Sequence, residues 1–299
     1  HSSLIRWKDE AILFSAPSGT GKSTQADLWH KYKNAEIING DSVAIYKELD
    51  IGSAKPTINE RESIPHHLLD IKDVREEYSV FDYQKDVRKL IEEISSRGKR
   101  IIIVGGTGLY IKAALYNYEF TYGTTTNQYE ELSNNELLEE IKKYTTDEIT
   151  IHENNRKRLV RLLNKYQNNE PVTNKKDQLL YPCKVIGLTT ERSKLYDRIN
   201  NRVDQMINNG LLDEIISLKE KYPTSRILNS GIGYKEFYDY LYNSKQLDEV
   251  IAEIKQDSRR YAKRQYTFFK HQFNTTWFDV NFNDFNQTIE EVYNYIKEK

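Results

Sequence analysis

Ten residues near the start, SAPSGTGKST from Ser15 to Thr24, set the terms for the rest of the chain. They follow a short apolar run, Ala11-Ile12-Leu13-Phe14, and precede a segment from Gln25 to Tyr32 that reads as helix. A strand, a glycine-bearing loop and a helix opened by Gly21-Lys22-Ser23 is the context a phosphate-binding loop needs. Backbone N–H groups at the helix N-terminus point at the ligand, the helix dipole favours negative charge, and Lys22 adds a full positive charge. Ser23 supplies the hydroxyl that holds Mg²⁺ in such loops. Ala16 stands where the first glycine of G-x-x-x-x-G-K-[ST] is usual, while Gly19 and Gly21 keep the loop free to turn. An ordinary turn before a helix is the competing reading. Kinases, nucleotide hydrolases and some transferases share this loop, so other residues must choose among them.

Charge and composition narrow the field. Forty-four basic residues against forty-five acidic ones leave a net charge of −1, so any nucleic-acid surface must come from local clustering. Cys183 is the single cysteine, which excludes an internal disulfide and suits a reducing cytoplasm. No apolar run approaches the ~20 residues that span a bilayer, so no membrane role is expected. The chain opens on His1, and its start is expected to be processed, truncated or engineered. With 299 residues it can bury a substantial core and still carry an insertion.

Read in order, strand, loop, helix Ser23 to Tyr32 and a second strand Glu36-Ile37-Ile38-Asn39 make a βαβ start, which predicts a parallel sheet. Gly40-Asp41-Ser42 follows at the carboxyl end of that strand, where open α/β sheets bind ligands. Asp41 is therefore the leading candidate for chemistry, with a turn-forming or helix-capping role as the alternative. Residues 44–56, AIYKELDIGSAKP, read as a loop near the site. His66 and His67 invite a metal reading, but adjacent side chains diverge and no third ligand is spaced to join them. They are expected to orient a loop or face the substrate channel. Phe81 to Ser96 reads as helix from Val87, Leu90, Ile91 and Ile94. Arg100 to Val104 reads as a buried parallel strand. It ends in Gly105-Gly106-Thr107-Gly108, without the acidic residue that nucleotide hydrolases place there. Glycines at that point let a backbone or a substrate come close.

From Tyr118 to Leu180 the composition changes, predicting an inserted helical subdomain. Glu130 to Lys143 reads as an acidic helix. Asn155 to Lys165 reads as a second one, with Leu159, Leu162, Leu163 and Tyr166 on one side and Arg158, Arg161 and Lys165 opposite, joined by Arg156 and Lys157. Such a stripe is either a solvated face or a grip on nucleic-acid phosphates, and the stretch leaves both open. Val185 to Leu188 resumes the sheet. Leu195, Ile199, Val203, Met206 and Ile207 then mark a helix that Gly210 closes, with Arg198 and Arg202 one turn apart on it. Leu211 to Tyr222 and Leu247 to Phe269 are further helices. In the last, Arg259, Arg260, Lys263 and Arg264 interleave with Tyr261, Tyr266, Phe268 and Phe269, which suits either nucleic acid or a core helix with a charged back.

Taken together, SAPSGTGKST, GDSVAIYKELDIGSAKPT, PHHLLDI, GGTGLY, NNRKRLVR, DRINNRVDQMINNGLLDE, GIGYKEF and RRYAKRQYT resemble, in order, the blocks of the bacterial tRNA dimethylallyltransferase family. The resemblance covers Ala11 to Phe278. It implies an α/β fold with a P-loop NTPase-like parallel sheet flanked by helices (residues 1–117 and 181–299) and a smaller all-helical, tRNA-binding insertion (residues 118–180). It further implies transfer of a dimethylallyl group from its diphosphate to the exocyclic amine of the adenine next to the tRNA anticodon, with Mg²⁺, by a cytoplasmic monomer. Carried over block by block, Ala16, Pro17, Ser18, Gly19, Thr20, Gly21, Lys22 and Ser23 would hold the diphosphate, with Ser23 on the metal. Asp41 would be the general base, and Thr107 and Arg202 would complete the catalytic set. Ser42, Val43 and Ala44 would line the adenine. Asp41, Thr107, Lys157, Arg158, Leu159, Val160, Arg161, Arg260 and Arg264 would contact the tRNA. Ala16, Ala44 and Phe268 depart from the family pattern, which has glycine, glutamine and tryptophan there. Two rivals stay in play: a P-loop enzyme on small molecules, a kinase or adenylate isopentenyltransferase, and a nucleotide-dependent RNA-binding module.

Overall fold

The computed structural model of the chain describes residues 11–15, 34–61, 64–120, 129, 131–170, 172 and 177–297. The described residues belong to two compact units, one running to Leu115 and again from Leu179, the other spanning Tyr116–Gln178.

The larger unit is built on six parallel strands: β1 (Ala11–Ser15), β2 (Ala35–Asn39), β3 (His66–His67), β4 (Arg100–Val104), β5 (Cys183–Thr189) and β6 (Thr275–Asp279). Their order across the sheet is β3-β2-β4-β1-β5-β6, with Ile38 beside Ile103, Phe14 beside Val104, and Phe14 beside Ile186. A parallel sheet is covered on both faces, which is why β4 reads as an unbroken apolar run. Ile101, Ile102 and Ile103 are accordingly buried.

Helix α1 (Val80–Ser96) starts at Ser79, whose hydroxyl accepts from Asp82 N while Asp82 accepts from Ser79 N, a reciprocal cap. It ends at Gly98, with φ +67°, where Gly98 N bonds Ser95 O and Lys99 N bonds Ile94 O. That left-handed stop turns the chain straight into β4. α1 buries Tyr83, Val87, Ile91 and Ile94 and packs beside α2 (Gly108–Leu115). Leu90, expected on the same face, is only half-buried. On the smaller unit, α3 (Asn134–Lys142) and α4 (Arg156–Gln167) pack through Leu137, Ile141, Leu159 and Leu163. α3 begins at Ser133, later than the sequence suggests, because Ser133 and Glu136 form another reciprocal cap.

The larger unit then adds α5 (Arg192–Asn208), α6 (Leu211–Lys221), α7 (Arg226–Ser230), α8 (Phe237–Tyr242), the long α9 (Leu247–Gln272) and α10 (Phe285–Lys297). Gly210, with φ +93°, closes α5 and opens α6. Ile37, Ile102, Ile186 and Leu188 of the sheet share a core with Ile289 and Val292 of α10. No helix among the described residues is long and apolar enough to cross a membrane.

Candidate active site

The candidate site forms where β2 and β4 end side by side. Asn39, the last residue of β2, acts as a splint: its side-chain amide donates to Asp41 O at 2.9 Å and Leu68 O at 3.0 Å, and its Oδ1 accepts from Asp41 N at 3.0 Å. Below it the buried Tyr83 donates its hydroxyl to Asn39 O at 3.0 Å. Asp41 accepts through Oδ1 from Val43 N at 2.9 Å and Ala44 N at 3.4 Å. The turn-forming role considered for Asp41 is thus present, and the same residue also lines a cavity.

Thr107 fixes the peptides on both sides of Asp41. Its N–H donates to Gly40 O at 3.0 Å, and its Oγ1 accepts from Ser42 N at 3.0 Å and donates to Ser42 Oγ at 3.2 Å. The glycines ahead of it make this approach possible. A Cβ on Gly105 would sit 2.1 Å from the Gly40 carbonyl carbon, and one on Gly106 would sit 1.9 Å from Gln265 Nε2. The strand end that sequence alone opens to a backbone or a substrate is approached by the Gly40 backbone and by side chains of α9.

The cavity, about 1100 Å³, is lined by Asn39, Asp41 and Ala44, by Arg198 and Arg202 of α5, and by the loop from residue 47 to residue 61. Burial pulls the Arg202 guanidinium below its ordinary pKa, and the Asp41 carboxylate opposes that pull. Arg198, one turn earlier, lies over the Phe282 ring at 4.0 Å. The far wall is held from behind. Glu214 of α6 accepts from the backbone N–H groups of Asp50, Ile51 and Gly52 and from the Tyr234 hydroxyl at 2.9 Å. The buried Lys55 donates to Tyr46 O at 2.8 Å and pairs with Asp50 and Asp70. The paired histidines diverge: His66 lines the cavity, where burial lowers its pKa, and His67 Nε2 reaches Glu36 at 2.7 Å.

Not every expected residue belongs to this arrangement. Ala16, Pro17, Ser18, Gly19, Thr20, Gly21, Lys22 and Ser23 lie outside the described residues, as does the helix after them. Ser42 and Val43 sit beside Asp41 in the turn, and Ala44 is buried against the cavity. On α4, Lys157, Arg158 and Arg161 are exposed and Val160 is half-buried. Leu159 is fully buried in the core of its unit, so it anchors the helix instead of meeting a ligand, a correction to its expected contact. Lys165 and Arg156 likewise leave the exposed stripe. Lys165 is buried, and Arg156 donates to the carbonyls of Leu132 and Tyr129. On α9, Phe269 is buried against Phe273 and Phe268 is half-buried over Gly108, while Tyr266 is exposed and rests on Trp277. Arg260 and Arg264 are exposed, Arg260 pairing with Asp257 and Arg264 over Tyr261. Part of the stretch, Phe269 with Ala262 and Gln265, packs as a core helix, and its basic residues form the charged back.

Sequence reasoning missed Asn39, Tyr83, Glu214 and the inner face of α9. Tyr261 hydrogen-bonds the side chains of Thr107 and Gln265, while burial and then the Asp41 charge raise its pKa. The spacing of Tyr261 and Gln265, one helical turn, was the available signal.

A wholly parallel open sheet, a cavity beyond its strand ends, and a carboxylate in the field of a desolvated guanidinium together define an α/β enzyme suited to an anionic substrate. Comparison with known proteins makes this specific. A family model described as IPP transferase matches residues 44–272. The chain is 43% identical over 304 residues to the tRNA dimethylallyltransferase of Anoxybacillus flavithermus, covering 97% of each chain. It superposes with a TM-score of 0.75 on the crystal structure of the full-length tRNA isopentenylpyrophosphate transferase from Bacillus halodurans, at 38% identity, covering 97% of this chain and 96% of that one. A eukaryotic dimethylallyltransferase captured acting on tRNA gives a TM-score of 0.74 at 26% identity, over 95% of this chain and 77% of the other. The chain belongs to the IPP transferase family.

Proposed function

We propose that this protein transfers a dimethylallyl group from dimethylallyl diphosphate to the exocyclic amine of the adenine beside the anticodon of tRNA. Near full-length identity of about 40% to tRNA dimethylallyltransferases supports the reaction. The observation that carries the mechanism is the shared cavity of Asp41 and Arg202, with Thr107 bonded to both peptides that flank Asp41.

An adenine amine is a weak nucleophile because its lone pair is delocalised into the ring. As the nitrogen attacks the first carbon of the dimethylallyl group, the carbon–oxygen bond to diphosphate breaks and one N–H proton must leave. Asp41 accepts that proton, a contribution of ~10²–10⁴-fold for a positioned general base. Arg202 would face the negative charge that grows on the departing diphosphate, and its desolvation would make that attraction stronger than it is in water. Lys22 and the backbone N–H groups of the phosphate-loop sequence would hold the same group. The carboxylates among the cavity lining suit a hard cation that arrives with phosphate oxygens. Bound by the Ser23 hydroxyl and the diphosphate, Mg²⁺ would supply further neutralisation of the leaving group. The base must leave its stack to enter the cavity. Lys157, Arg158 and Arg161, with Arg260 and Arg264, would meet tRNA phosphates.

The test is direct. Incubated with labelled dimethylallyl diphosphate and unmodified tRNA, the protein is expected to yield the prenylated adenosine after digestion, and an anticodon stem-loop is expected to replace the whole tRNA. If free AMP is the better acceptor, the protein is a small-molecule isopentenyltransferase and the tRNA reading fails.

A further inference from the structure

We infer that Gln265 is a positioning residue for Asp41, acting through the peptide between Gly106 and Thr107. The inference rests on Asp41 as the proton acceptor and adds the group that keeps it in place. Asp41 hangs between two peptides, and both are tied to one residue: Gly40 O to Thr107 N, Ser42 N to Thr107 Oγ1. A shift of Thr107 therefore moves Asp41. The carbonyl just ahead of Thr107, that of Gly106, accepts from Gln265 Nε2 at 3.0 Å. The contact needs glycine at 106, because any Cβ there would overlap that nitrogen. One turn earlier on the same face of α9, Tyr261 hydrogen-bonds the Thr107 side chain and Gln265. A rigid helix thus grips the loop at two adjacent points.

Packing does not account for the amide. Gln265 is 5% exposed, and its Oε1 is buried with no hydrogen-bonding partner among the described residues. A buried acceptor without a partner opposes folding, and methionine would fill the same space without one. Replacing the glutamine leaves Gly106 O without its donor and ends the bond to Tyr261, but it removes that unpartnered oxygen and fills the space with an apolar chain, so the effects partly offset in stability. In activity they do not: the loop loses its tether.

The experiment uses the full chain and three variants, Gln265→Met, Gln265→Glu and Asp41→Asn, assayed with dimethylallyl diphosphate and tRNA. Gln265→Met is expected to lower kcat by roughly tenfold or more while KM for both substrates stays within about twofold, the pattern of a group that serves the transition state and not binding. Its melting temperature is expected to stay within about 3 °C of the wild type. Gln265→Glu adds a readout that packing would not give. Burial raises the pKa of the new carboxyl. Protonated, it donates to Gly106 O as the amide does; ionised, it repels that oxygen. Its turnover relative to the wild type is therefore expected to fall as pH rises from about 6 to about 8. A kcat within about twofold of the wild type in both Gln265 variants, a loss that follows melting temperature and KM together, or a flat Gln265→Glu profile would each overturn the inference. Asp41→Asn separates the two levels: near wild-type turnover there removes the proton-acceptor reading and this inference with it. An inactive Asp41→Asn beside unaltered Gln265 variants removes only the positioning role.

Discussion

Helices α4 and α5 carry much the same text, NNRKRLVR in one and DRINNRVDQM in the other, and put it to different use. On α5, Arg202 is sunk beside a cavity, its guanidinium weakened by burial and partly restored by Asp41. On α4, Lys157, Arg158 and Arg161 stand in solvent, while Arg156 and Lys165 of the same stretch turn inward. A cation in water is screened within about 8 Å at physiological salt, whereas one lining a cavity acts at short range and almost undiluted. The first kind can gather a polyanion; only the second can steer a bond-breaking step.

That contrast sets the expected effects. Arg202→Ala is expected to reduce turnover by roughly 10²–10³-fold, the usual consequence of deleting one donor to developing charge, and Arg202→Lys to restore only part, since an ammonium lacks the planar fork. Steady-state kinetics on both variants checks this, and equal loss from Arg161→Ala would erase the distinction between the helices.

A buried carboxylate at the far end of the sheet comes next. For Glu36, burial by itself would raise the pKa, but Lys99, His67 and Arg97 outweigh it and bring the group down to about 2. A depressed carboxyl stabilises the fold fully above its unfolded value near 4.5, and that stability drains away as pH falls toward 2. Glu36→Gln is expected to flatten the acid limb of stability between those values, as read by denaturant unfolding, where the wild type loses on the order of 3 kcal/mol. A limb unchanged in the variant would assign acid sensitivity elsewhere.

Within α4 itself, Arg156→Ala is expected to destabilise the smaller unit by ~1–3 kcal/mol, because the Leu132 and Tyr129 carbonyls lose a charged donor. Faster hydrogen exchange in α3 and α4, with the salt dependence of tRNA binding unchanged, is the signature. The smallest effect belongs to the exposed pair. Lys157→Ala with Arg158→Ala is expected to weaken tRNA binding a few-fold and to reduce the salt slope by about 1–2, with turnover at saturating tRNA unaltered. An unchanged slope would return those side chains to an ordinary solvated face.

Apolar patterning located β2, β4, β5 and the helices α1, α4, α5, α6 and α9 within a few residues, since burial of a helix face or of a whole strand writes its pattern into the chain, while the short α7 and α8 went unread. The candidate site was legible at Asp41, which follows a strand end, whereas Thr107 came only with the family resemblance. It was illegible where the partner comes from far along the chain: Glu214 is 162 residues from Gly52, and Gln265 is 159 from Gly106. Beyond the one-turn spacing of Tyr261 and Gln265, nothing local to those residues differs from an ordinary helical surface. The interleaved rings of α9 left two readings open, because aromatic residues serve a core as readily as a stack of bases.

What could be known from the order of residues was the parallel α/β plan, the phosphate-loop sequence, and the candidacy of a carboxylate after the second strand, all consequences of neighbours in the chain. Which cations were desolvated, which oxygen Asp41 commits to its own turn, and which glycines yield to a helix passing overhead were settled only by folding. Charge strength depends on surrounding dielectric, and close contact depends on a missing Cβ; both are properties of three-dimensional surroundings that residues distant in sequence create.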